Sequence, residues 1–287
     1  MKNSEGVGIV YSHWLSGAKP LAERLADKIS EPYKPWICSL DDFELHPSSA
    51  QQMSLIITIG GDGTILRAVR VAAVYGVPIV GVNLGRVGFM TELSPDEAIV
   101  GMNDYVRGSG WIEERTMLMA QVFPEETRHD EDYSPCHGLN EAVLGRASVA
   151  RLIHVDIRVN GQKLASSAAD SIIVATATGS TGYNLSAGGP ILYPESPSLL
   201  LKPVSPQLSL DSAIILYPDA EVSLRLLRGH PALLTVDGYV DLPLSPGDTV
   251  KIKRSPYVAK FMRMGNPGQL PEALAQRLSS PSRGETS

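Results

Sequence analysis

A single aspartate lies among glycines in the stretch LIITIGGDGTILRAV, at residues 55–69. An apolar, β-branched run ends at Gly60, Asp62 follows, and a helical pattern then begins. Glycines allow unusual dihedrals and remove the Cβ bulk that would keep a ligand away from the main chain. The free N–H groups of the following helix can face phosphate oxygens. The stretch predicts a phosphate site beside a carboxylate, although an N-cap in an ordinary glycine-rich turn explains the same residues.

A second segment, DSIIVATATGSTGYNLSAGGP at residues 170–190, concentrates hydroxyls, an amide and backbone N–H groups without any lysine or arginine. Such a surface can bind ribose hydroxyls, a pyrophosphate and a base edge through neutral hydrogen bonds. Tyr183 adds a stacking face or a hydroxyl. A flexible Ser/Gly loop between strands is the alternative interpretation. The pair Asn140-Glu141 is a weak signal by itself, and Asp237-Gly238 is interpreted as a hairpin turn.

Strand-like and helix-like patterns alternate over the first hundred residues and must position Asp62. We expect strands at residues 7–12, 54–59 and 77–83, and helices at residues 18–29 and 64–76, the second with Gly76 as its C-cap. Continuous apolar strands separated by helices predict a Rossmann-like parallel sheet covered on both faces. Ligands bind such sheets at the carboxyl ends of the strands, where Asp62 is expected.

After about residue 100 the pattern changes to one strand after another with turn residues between them. Asn-Gly at residues 160–161 and Asp-Gly at residues 237–238 are hairpin signals. The predicted organisation is an α/β N-terminal domain and a β-rich, sandwich-like C-terminal domain. Their predicted bounds are residues 1–99 and 100–258, with a segment at 259–280 that packs back on the first domain and a disordered tail at 281–287.

Composition excludes several classes of function. A net charge of −6 disfavours binding to nucleic acid through a broad electrostatic surface. Cys38 and Cys136 lie far apart and make neither a disulfide framework nor a zinc motif, which is typical of a reducing compartment. The six histidines show no metal-ligand spacing. Without a signal core or an apolar run of about 18 residues, the expectation is a cytoplasmic protein with no membrane partner.

Together these pieces resemble the NAD kinase family. Its motifs correspond here to GGDGT at residues 60–64, NLGRVGF at 83–89, RTML at 115–118, Asn140-Glu141, and TATGSTGY at 176–183 followed by SAGGP at 186–190. The order and spacing agree over roughly residues 7–265. GGDGT alone is shared with diacylglycerol and sphingosine kinases and in part with phosphofructokinases. The chain departs from the family pattern at Ser171, Ala177, Gly182 and Tyr239.

The resemblance implies transfer of the γ-phosphoryl group of ATP to the 2′-hydroxyl of the adenosine ribose of NAD, which gives NADP. It implies that Asp62 orients or deprotonates the acceptor hydroxyl. It implies NAD contacts from Gly61, Gly63, Phe89, Asn140, Glu141, Asp170, Thr178, Thr181, Gly182, Tyr183 and Ser186. It also implies a homodimer or homotetramer whose pockets a neighbouring subunit completes.

The charge of the triphosphate needs a neutraliser, because neither glycine-rich loop contains lysine or arginine. Mg²⁺ that bridges the ATP phosphates is the expected cofactor, with no metal held by the protein alone. Arg86 is a candidate phosphate contact.

Two other functions use the same residues. A lipid or sugar kinase would share the Gly-Gly-Asp-Gly loop, but a lipid acceptor needs an apolar groove, whereas residues 178–186 are strongly polar. A nucleotide sensor would bind NAD or NADP without turnover, and the presence of Asp62 argues against it.

Overall fold

The computed structural model describes most of the chain and divides it into two compact units. The described residues are 6–29, 31–85, 88, 90–125, 133–148, 151–207 and 211–265. The first unit takes in residues 1–65, 78–113 and 261–287, and the second takes in residues 66–77 and 114–260.

The first unit alternates strands with helices. Its elements are β1 (Gly6–Tyr11), α1 (Ala18–Lys28), β2 (Lys34–Ser39), α2 (Leu40–Leu45), a 3-10 helix (Pro47–Gln52), β3 (Met53–Gly60), the start of α3 (Asp62–Tyr75), β4 (Ile79–Asn83), α4 (Pro95–Val106), the start of β5 (Trp111–Phe123) and the end of β16 (Thr249–Arg263).

The sheet of the first unit is parallel. β1 pairs with β2 and with β3, and β3 pairs with β4, all in parallel register. Phe261 at the end of β16 pairs in parallel with Ile79 of β4. Buried residues from the strands and from helices α1 and α4 form one apolar cluster, which includes Ile9, Leu25, Ile57, Val82 and Met102. The predicted α/β fold with a parallel sheet is confirmed.

Helix α4 lies where the sequence analysis expected no helix. Ser94 caps it: its hydroxyl accepts from the N–H of Glu97 at 3.4 Å, and its own N–H donates to the Glu97 carboxylate at 2.8 Å. With Pro95 in the first turn, this capping box is a start signal that the sequence displays. The predicted boundary between residues 99 and 100 falls inside this helix. β2 and α2 were also not predicted.

The second unit holds the remaining strands. They are β6 (Cys136–Gly138), β7 (Glu141–Arg146), β8 (Ile153–Val159), β9 (Gln162–Ala169), β10 (Ser171–Ala175), β11 (Leu199–Val204), β12 (Ile214–Leu216), β13 (Val222–Gly229), β14 (Ala232–Val236) and β15 (Val240–Leu244), with a 3-10 helix (Gly179–Thr181) and α5 (Tyr183–Ser186) after β10.

Antiparallel sheets build the second unit. Six strands follow the order β12-β11-β10-β7-β14-β15, and β16, β13, β8 and β9 follow one another in the other sheet. A single apolar cluster draws on both, with Leu144 and Ile172 from the first sheet and Ile157, Leu224 and Ile252 from the second. The predicted β-rich, sandwich-like architecture is confirmed.

Both hairpin signals form the turns that they predict. Asn160 and Gly161 have φ values of 51° and 77°, and they join β8 to β9. Asp237 and Gly238 have φ values of 50° and 71°, between β14 and β15. These positive values favour Asn, Asp and Gly at the two positions.

The C-terminal part of the chain is described as far as residue 265. Residues 259–260 of the predicted packing segment belong to the second unit and residues 261–265 to the first, while residues 266–280 and the predicted tail lie outside the described residues. No helix in the described part of the chain has both the length and the apolar character that a membrane crossing requires.

Gly76 ends helix α3 in a left-handed conformation, with φ at 67°. The N–H of Gly76 donates to the carbonyl of Ala73, and that of Val77 donates to the carbonyl of Ala72, both at 3.1 Å. This pairing is the Schellman motif, and it confirms the predicted C-cap.

We expect Gly76→Ala to lower the free energy of unfolding by about 1 kcal/mol, because an alanine resists this φ value. Steric overlap is not involved, since the nearest atom to an added Cβ is Lys260 Nζ at 3.9 Å. Gly101→Ala inside α4 is the matched control, and it should raise the free energy by roughly 0.5–1 kcal/mol. Urea titration of both variants measures the difference, and equal effects would contradict the assignment.

Candidate active site

Asp62 is the first residue of α3 and stands at the carboxyl end of β3. Its side chain is half-buried, and its Oδ1 atom accepts the N–H of Met90 at 3.2 Å. The carbonyl of Gly61 accepts the N–H of Thr64 at 2.9 Å, which closes the turn into the helix. The carboxylate is therefore oriented by the backbone of the loop that follows β4.

The glycines around Asp62 have different physical roles. A Cβ on Gly88 would lie 2.0 Å from Asp62 Oδ1, so any side chain there would displace the carboxylate. A Cβ on Gly60 would lie 2.1 Å from Thr64 Oγ1. Beside Gly61 an added Cβ would meet nothing within 4 Å, and Gly63 is exposed. Gly60 and Gly88 thus allow close packing, whereas Gly61 borders open space beside the carboxylate.

Two predicted contacts of this loop, Arg86 and Phe89, lie outside the described residues. Asn83, which opens the same segment, is buried, and its Oδ1 atom accepts the N–H of Gly85 at 3.1 Å.

The second unit holds a different cluster, centred on the carboxylate of Asp237. This buried carboxylate accepts three backbone N–H groups, from Leu139 at 2.6 Å, Asn140 at 2.8 Å and Glu141 at 3.0 Å. Sequence analysis interpreted Asp237 as a turn residue only. Its φ value fits the turn, but its side chain also fixes the backbone at the start of β7.

The hydroxyl-rich segment after β10 packs directly on Asn140. The carbonyl of Asn140 accepts the N–H of Thr176 at 2.8 Å, and Thr176 Oγ1 donates to the carbonyl of Leu139 at 2.5 Å. A Cβ on Gly179 would lie 2.1 Å from the carbonyl oxygen of Asn140, so only glycine permits this approach.

Buried polar side chains hold the rest of the segment in one shape. Asn184 has no exposed surface, and its Nδ2 atom donates to the carbonyls of Ser180 at 3.0 Å and Pro190 at 2.9 Å. Ser180 Oγ donates to Ala177 at 2.6 Å and accepts from the N–H of Leu192 at 3.0 Å. The alternative of a flexible loop is therefore wrong. Sequence analysis counted the hydroxyls and the amide of this segment as a binding surface, whereas the structure buries Thr176, Ser180 and Asn184, and nothing local shows that these side chains are buried.

Glu141 carries the most perturbed carboxyl group of this cluster. Burial, followed by the negative charge of Asp237, raises the pKa of Glu141 to about 7, while the N–H of Tyr183 opposes the rise. Burial also raises the pKa of Asp237, against three N–H donors and the charge of Arg70. Because Asp237 has more donors, we assign the proton of the pair to Glu141.

Three buried oxygen atoms of the cluster and the segment packed on it have no hydrogen-bond partner in the described part of the chain, namely Glu141 Oε2, Thr178 Oγ1 and Asn184 Oδ1. Buried polar atoms are normally paired, so these oxygens are candidates for a hydrogen bond to a ligand. Gly182 stands next to the first of them, since a Cβ there would lie 3.1 Å from Glu141 Oε2.

The predicted NAD contacts separate into groups. Thr178, Thr181, Gly182, Tyr183 and Ser186 share the segment that packs on Asn140, and Tyr183 is 43% exposed. Asp170 is not brought to them: it precedes β10 at the opposite end of that strand, about 15 Å away at 3.3 Å per residue. Its carboxylate binds Arg146 Nη1 at 2.8 Å.

No group of three or more His, Cys, Asp or Glu side chains within the described ranges could hold a metal ion. Cys136 and His137 do not form a nucleophilic pair. Burial raises the pKa of the Cys136 thiol, and His137 Nδ1 contacts Ser255 Oγ at 2.9 Å instead.

Known families match both halves of the chain. A model of the ATP-NAD kinase N-terminal domain matches residues 20–109, and a model of the ATP-NAD kinase C-terminal domain matches residues 139–264. The chain is 40% identical over 259 residues to the NAD kinase of Dehalococcoides mccartyi strain CBDB1, with 90% of each chain covered. It is 36% identical over 275 residues to the NAD kinase of Chloroflexus aurantiacus, covering 96% of this chain and 98% of that relative.

The chain belongs to the ATP-NAD kinase family. The alternative of a lipid or sugar kinase depended on the Gly-Gly-Asp-Gly loop alone, whereas the ATP-NAD kinase match includes the half that contains Asn140 and Tyr183.

Two solved structures share the fold of this ATP-NAD kinase family member. The crystal structure of yeast NADH kinase complexed with NADH has a TM-score of 0.83 at 22% identity, covering 100% of this chain and 94% of that chain. An NAD kinase from Archaeoglobus fulgidus in complex with ATP has a TM-score of 0.74 at 24% identity, covering 96% of this chain and 100% of that chain.

Asp237→Asn should lower the free energy of unfolding by about 2 kcal/mol and weaken NAD binding at least tenfold. An amide NH₂ would replace one carboxylate oxygen and would face an N–H donor, which leaves a buried group unsatisfied. Urea titration and calorimetry with NAD measure the two effects. Asp241→Asn is the control, because Asp241 Oδ1 accepts the Thr235 hydroxyl at an exposed site, where an amide oxygen can do the same. Equal effects of the two substitutions would exclude the role given to Asp237.

The raised pKa of Glu141 predicts a pH-dependent stability in the absence of nucleotide. The stabilising contribution of protonated Glu141 is complete below its unfolded pKa of 4.5 and is lost as the pH rises through about 7. Glu141→Gln lacks this titration, so its stability relative to the parent should rise from pH 5 to pH 8, by on the order of 1 kcal/mol after solvent screening. Denaturant titrations at the two pH values test this. Glu23→Gln, at an exposed position of α1, should show no such trend.

Proposed function

We propose that the chain phosphorylates NAD with ATP and that Asp62 is the residue that acts on the acceptor hydroxyl. Membership in the ATP-NAD kinase family and the names of its relatives support the reaction. The single observation that carries the role of Asp62 is its half-buried carboxylate at the carboxyl end of β3, with open space beside Gly61. Parallel sheets bind their ligands at this edge.

The transfer step needs one proton acceptor. The 2′-oxygen of the adenosine ribose forms a bond to the γ-phosphorus of ATP while the bond from that phosphorus to the bridging oxygen breaks. The hydroxyl proton passes to the Asp62 carboxylate, and ADP leaves with the bridging electron pair. Since the transition state of phosphoryl transfer is largely dissociative, orientation of the hydroxyl contributes more than its full deprotonation. The N–H of Met90 holds one carboxylate oxygen for this purpose.

The NAD contacts that we propose in the second unit are neutral hydrogen bonds. Thr178 Oγ1 and Glu141 Oε2 are buried atoms without a partner among the described residues, and nucleoside hydroxyls are suitable partners for both. A carboxyl group with a pKa of about 7 can donate as well as accept near neutral pH. Tyr183 offers an exposed ring for stacking. Thr181, Gly182 and Ser186 belong to the same segment, and Asn140 packs against it.

Mg²⁺ is proposed to arrive on ATP and to neutralise the triphosphate when bound. The chemistry of the loops supports this, because neither glycine-rich segment has a lysine or arginine to offset the phosphate charge. The side chains described here contribute position and hydrogen bonds. The contacts of Gly61, Gly63 and Phe89 with substrate remain predictions from the resemblance, and a contact of Arg86 with phosphate remains a prediction from the charge of the triphosphate.

A homodimer or homotetramer is proposed from the resemblance and from the place of Asp170. This residue lies at the far end of β10 from Thr178, so it would reach a nucleotide only in the pocket of a neighbouring copy. We also propose a cytoplasmic location. The support is that Cys38 and Cys136 are free thiols, which is typical of a reducing compartment.

Asp62→Asn should lower kcat at least 100-fold and change NAD affinity less than threefold, because the amide keeps the shape but cannot take the proton. NADP is read through an NADP-specific dehydrogenase, and NAD binding is measured by calorimetry. EDTA in excess over Mg²⁺ should stop the reaction.

Asp96→Asn is the matched control, since Asp96 is an exposed acid in the first turn of α4. Near-normal turnover by Asp62→Asn would show that Asp62 has another role. A parent protein that binds NAD without making NADP would favour the nucleotide sensor.

A further inference from the structure

An arginine with little access to solvent lies near the end of β16, within the first unit. Arg263 is 7% exposed. Its Nε atom donates to Glu113 Oε2 at 2.7 Å, and its Nη1 atom donates to Glu92 Oε2 at 2.9 Å and to the carbonyl of Met90 at 3.1 Å. One guanidinium group therefore links two carboxylates and a backbone carbonyl from two separate parts of the chain, residues 90–92 and residue 113.

This arginine cluster, Arg263 with Glu92 and Glu113, is anchored on further sides. Glu92 Oε1 accepts the N–H of Met264 at 3.0 Å and the hydroxyl of Tyr105 at 3.2 Å. The carboxylate that holds Arg263 is thus tied both to α4 and to the residue after β16. Such bonds limit the positions that the guanidinium group can take.

Stability alone is a weak reason for a buried cluster of charges. The cost of removing the charges from water often exceeds their mutual attraction, and well-packed apolar residues often replace such clusters without loss. Where ionic groups are retained inside a protein, geometric specificity is a hypothesis to test. In this structure the arginine cluster also binds a backbone group, because Arg263 donates to the carbonyl of Met90.

Met90 is held on both sides. Its carbonyl accepts from Arg263 Nη1, and its N–H donates to Asp62 Oδ1 at 3.2 Å. Arg263 is therefore separated from the Asp62 carboxylate by a single residue and two hydrogen bonds. Gly88 brings the same loop close to this carboxylate, since a Cβ on Gly88 would lie 2.0 Å from Asp62 Oδ1. A shift of the loop toward Asp62 would therefore displace the carboxylate.

We propose that Arg263 is a positioning residue for phosphoryl transfer, which fixes the Met90 peptide so that its N–H orients the Asp62 carboxylate. This inference rests on the role proposed for Asp62. The function needs an arginine, because the planar guanidinium group presents several donors in fixed directions, whereas a lysine offers a single point charge. A lysine at 263 could keep an ion pair with one glutamate and would lose the simultaneous bond to Met90.

The test is the kinetics of Arg263→Lys in the full chain. We expect kcat for NADP formation to fall at least tenfold, while KM for NAD and KM for ATP change less than threefold, because Arg263 is not itself among the proposed nucleotide contacts. Arg225→Lys is the matched control: Arg225 is an exposed arginine of β13, and its ion pair with Glu125 has an N–O distance of 3.8 Å. A merely structural role would not separate kcat from KM in this way.

A double-mutant comparison identifies the residue through which Arg263 acts. The residual turnover of Asp62→Asn is measured with γ-labelled ATP in long incubations, alone and combined with Arg263→Lys. If Arg263 acts through Asp62, the second substitution should lower that residual turnover less than threefold. An undiminished tenfold loss in the Asp62→Asn background would overturn the proposal.

The outcomes separate the two hypotheses. Near-normal turnover by Asp62→Asn refutes the role of Asp62. An inactive Asp62→Asn together with an Arg263→Lys protein within twofold of the parent refutes only the positioning role. Should Arg263→Lys lack a cooperative unfolding transition, the pair Arg263→Gln with Glu113→Gln replaces it. That pair keeps the net charge of the cluster and still removes the bond to Met90, so the same loss of kcat is expected.

Discussion

The parallel pairing of β3 with β4 is the constraint on which the arrangement around Asp62 depends. Gly60 pairs with Asn83, the last residues of the two strands, so the chain leaves both strands at the same edge. The N–H of Leu84 donates to the carbonyl of Gly60 at 3.3 Å, which continues the pairing into the loops. Two loops that start side by side can then share a hydrogen bond, and Met90 reaches Asp62 as a result. A side chain is absent where the loops touch, at Gly88, because a Cβ there would lie 2.0 Å from Asp62 Oδ1 and would force the loops apart.

In the second unit a buried carboxylate, that of Asp237, holds the backbone where β6 ends and β7 begins. The three N–H groups of residues 139–141 lie where β6 ends and β7 begins, and an unpaired buried N–H costs about 1–3 kcal/mol. Asp237 supplies two oxygens from a hairpin turn nearly one hundred residues further along the chain. Burial raises the pKa of the neighbouring Glu141 carboxyl, and the negative charge of Asp237 raises this pKa further. The same side chain that organises the backbone thus also changes the protonation of a proposed ligand contact.

Local patterns predicted local structure in this chain, and they could not predict the long-range contacts. The apolar run before Gly60, the C-cap at Gly76 and the Asn-Gly turn at residues 160–161 all depend on neighbours within a few residues. Helix α4 was missed although Ser94 and Glu97 display a capping box, so that error was avoidable. The contact of Asp237 with Leu139 spans 98 positions, and no periodicity indicates it.

The arginine cluster is a second set of long-range contacts that local sequence patterns could not predict. Glu113 and Glu92 lie 150 and 171 positions before Arg263, and each is an ordinary charged residue in the sequence. Charged residues are seldom buried, so the pattern alone favours a solvated surface for all three. Only the return of the chain at β16, which places Phe261 beside Ile79 in the first unit, brings these charges together. Sequence reasoning could therefore find the carboxylate that is proposed to act on the hydroxyl but not the buried charges that bond to its loop.

Two departures from the family pattern, Gly182 and Tyr239, change contacts that the structure shows in the second unit. Gly182 stands where alanine is usual, and an alanine Cβ would lie 3.1 Å from Glu141 Oε2, so the carboxyl group would have to move by a few tenths of an ångström. Glycine therefore lets this carboxyl lie closer to the turn. Tyr239 stands where glutamine is common, and its ring lies 5.7 Å from the guanidinium carbon of Arg67. A cation–π contact here restrains an arginine of α3 with an aromatic face instead of an amide. Both changes alter the surroundings of polar groups while Asp237 and its three N–H donors stay in place, so they affect the strength of individual contacts more than the architecture of the cluster.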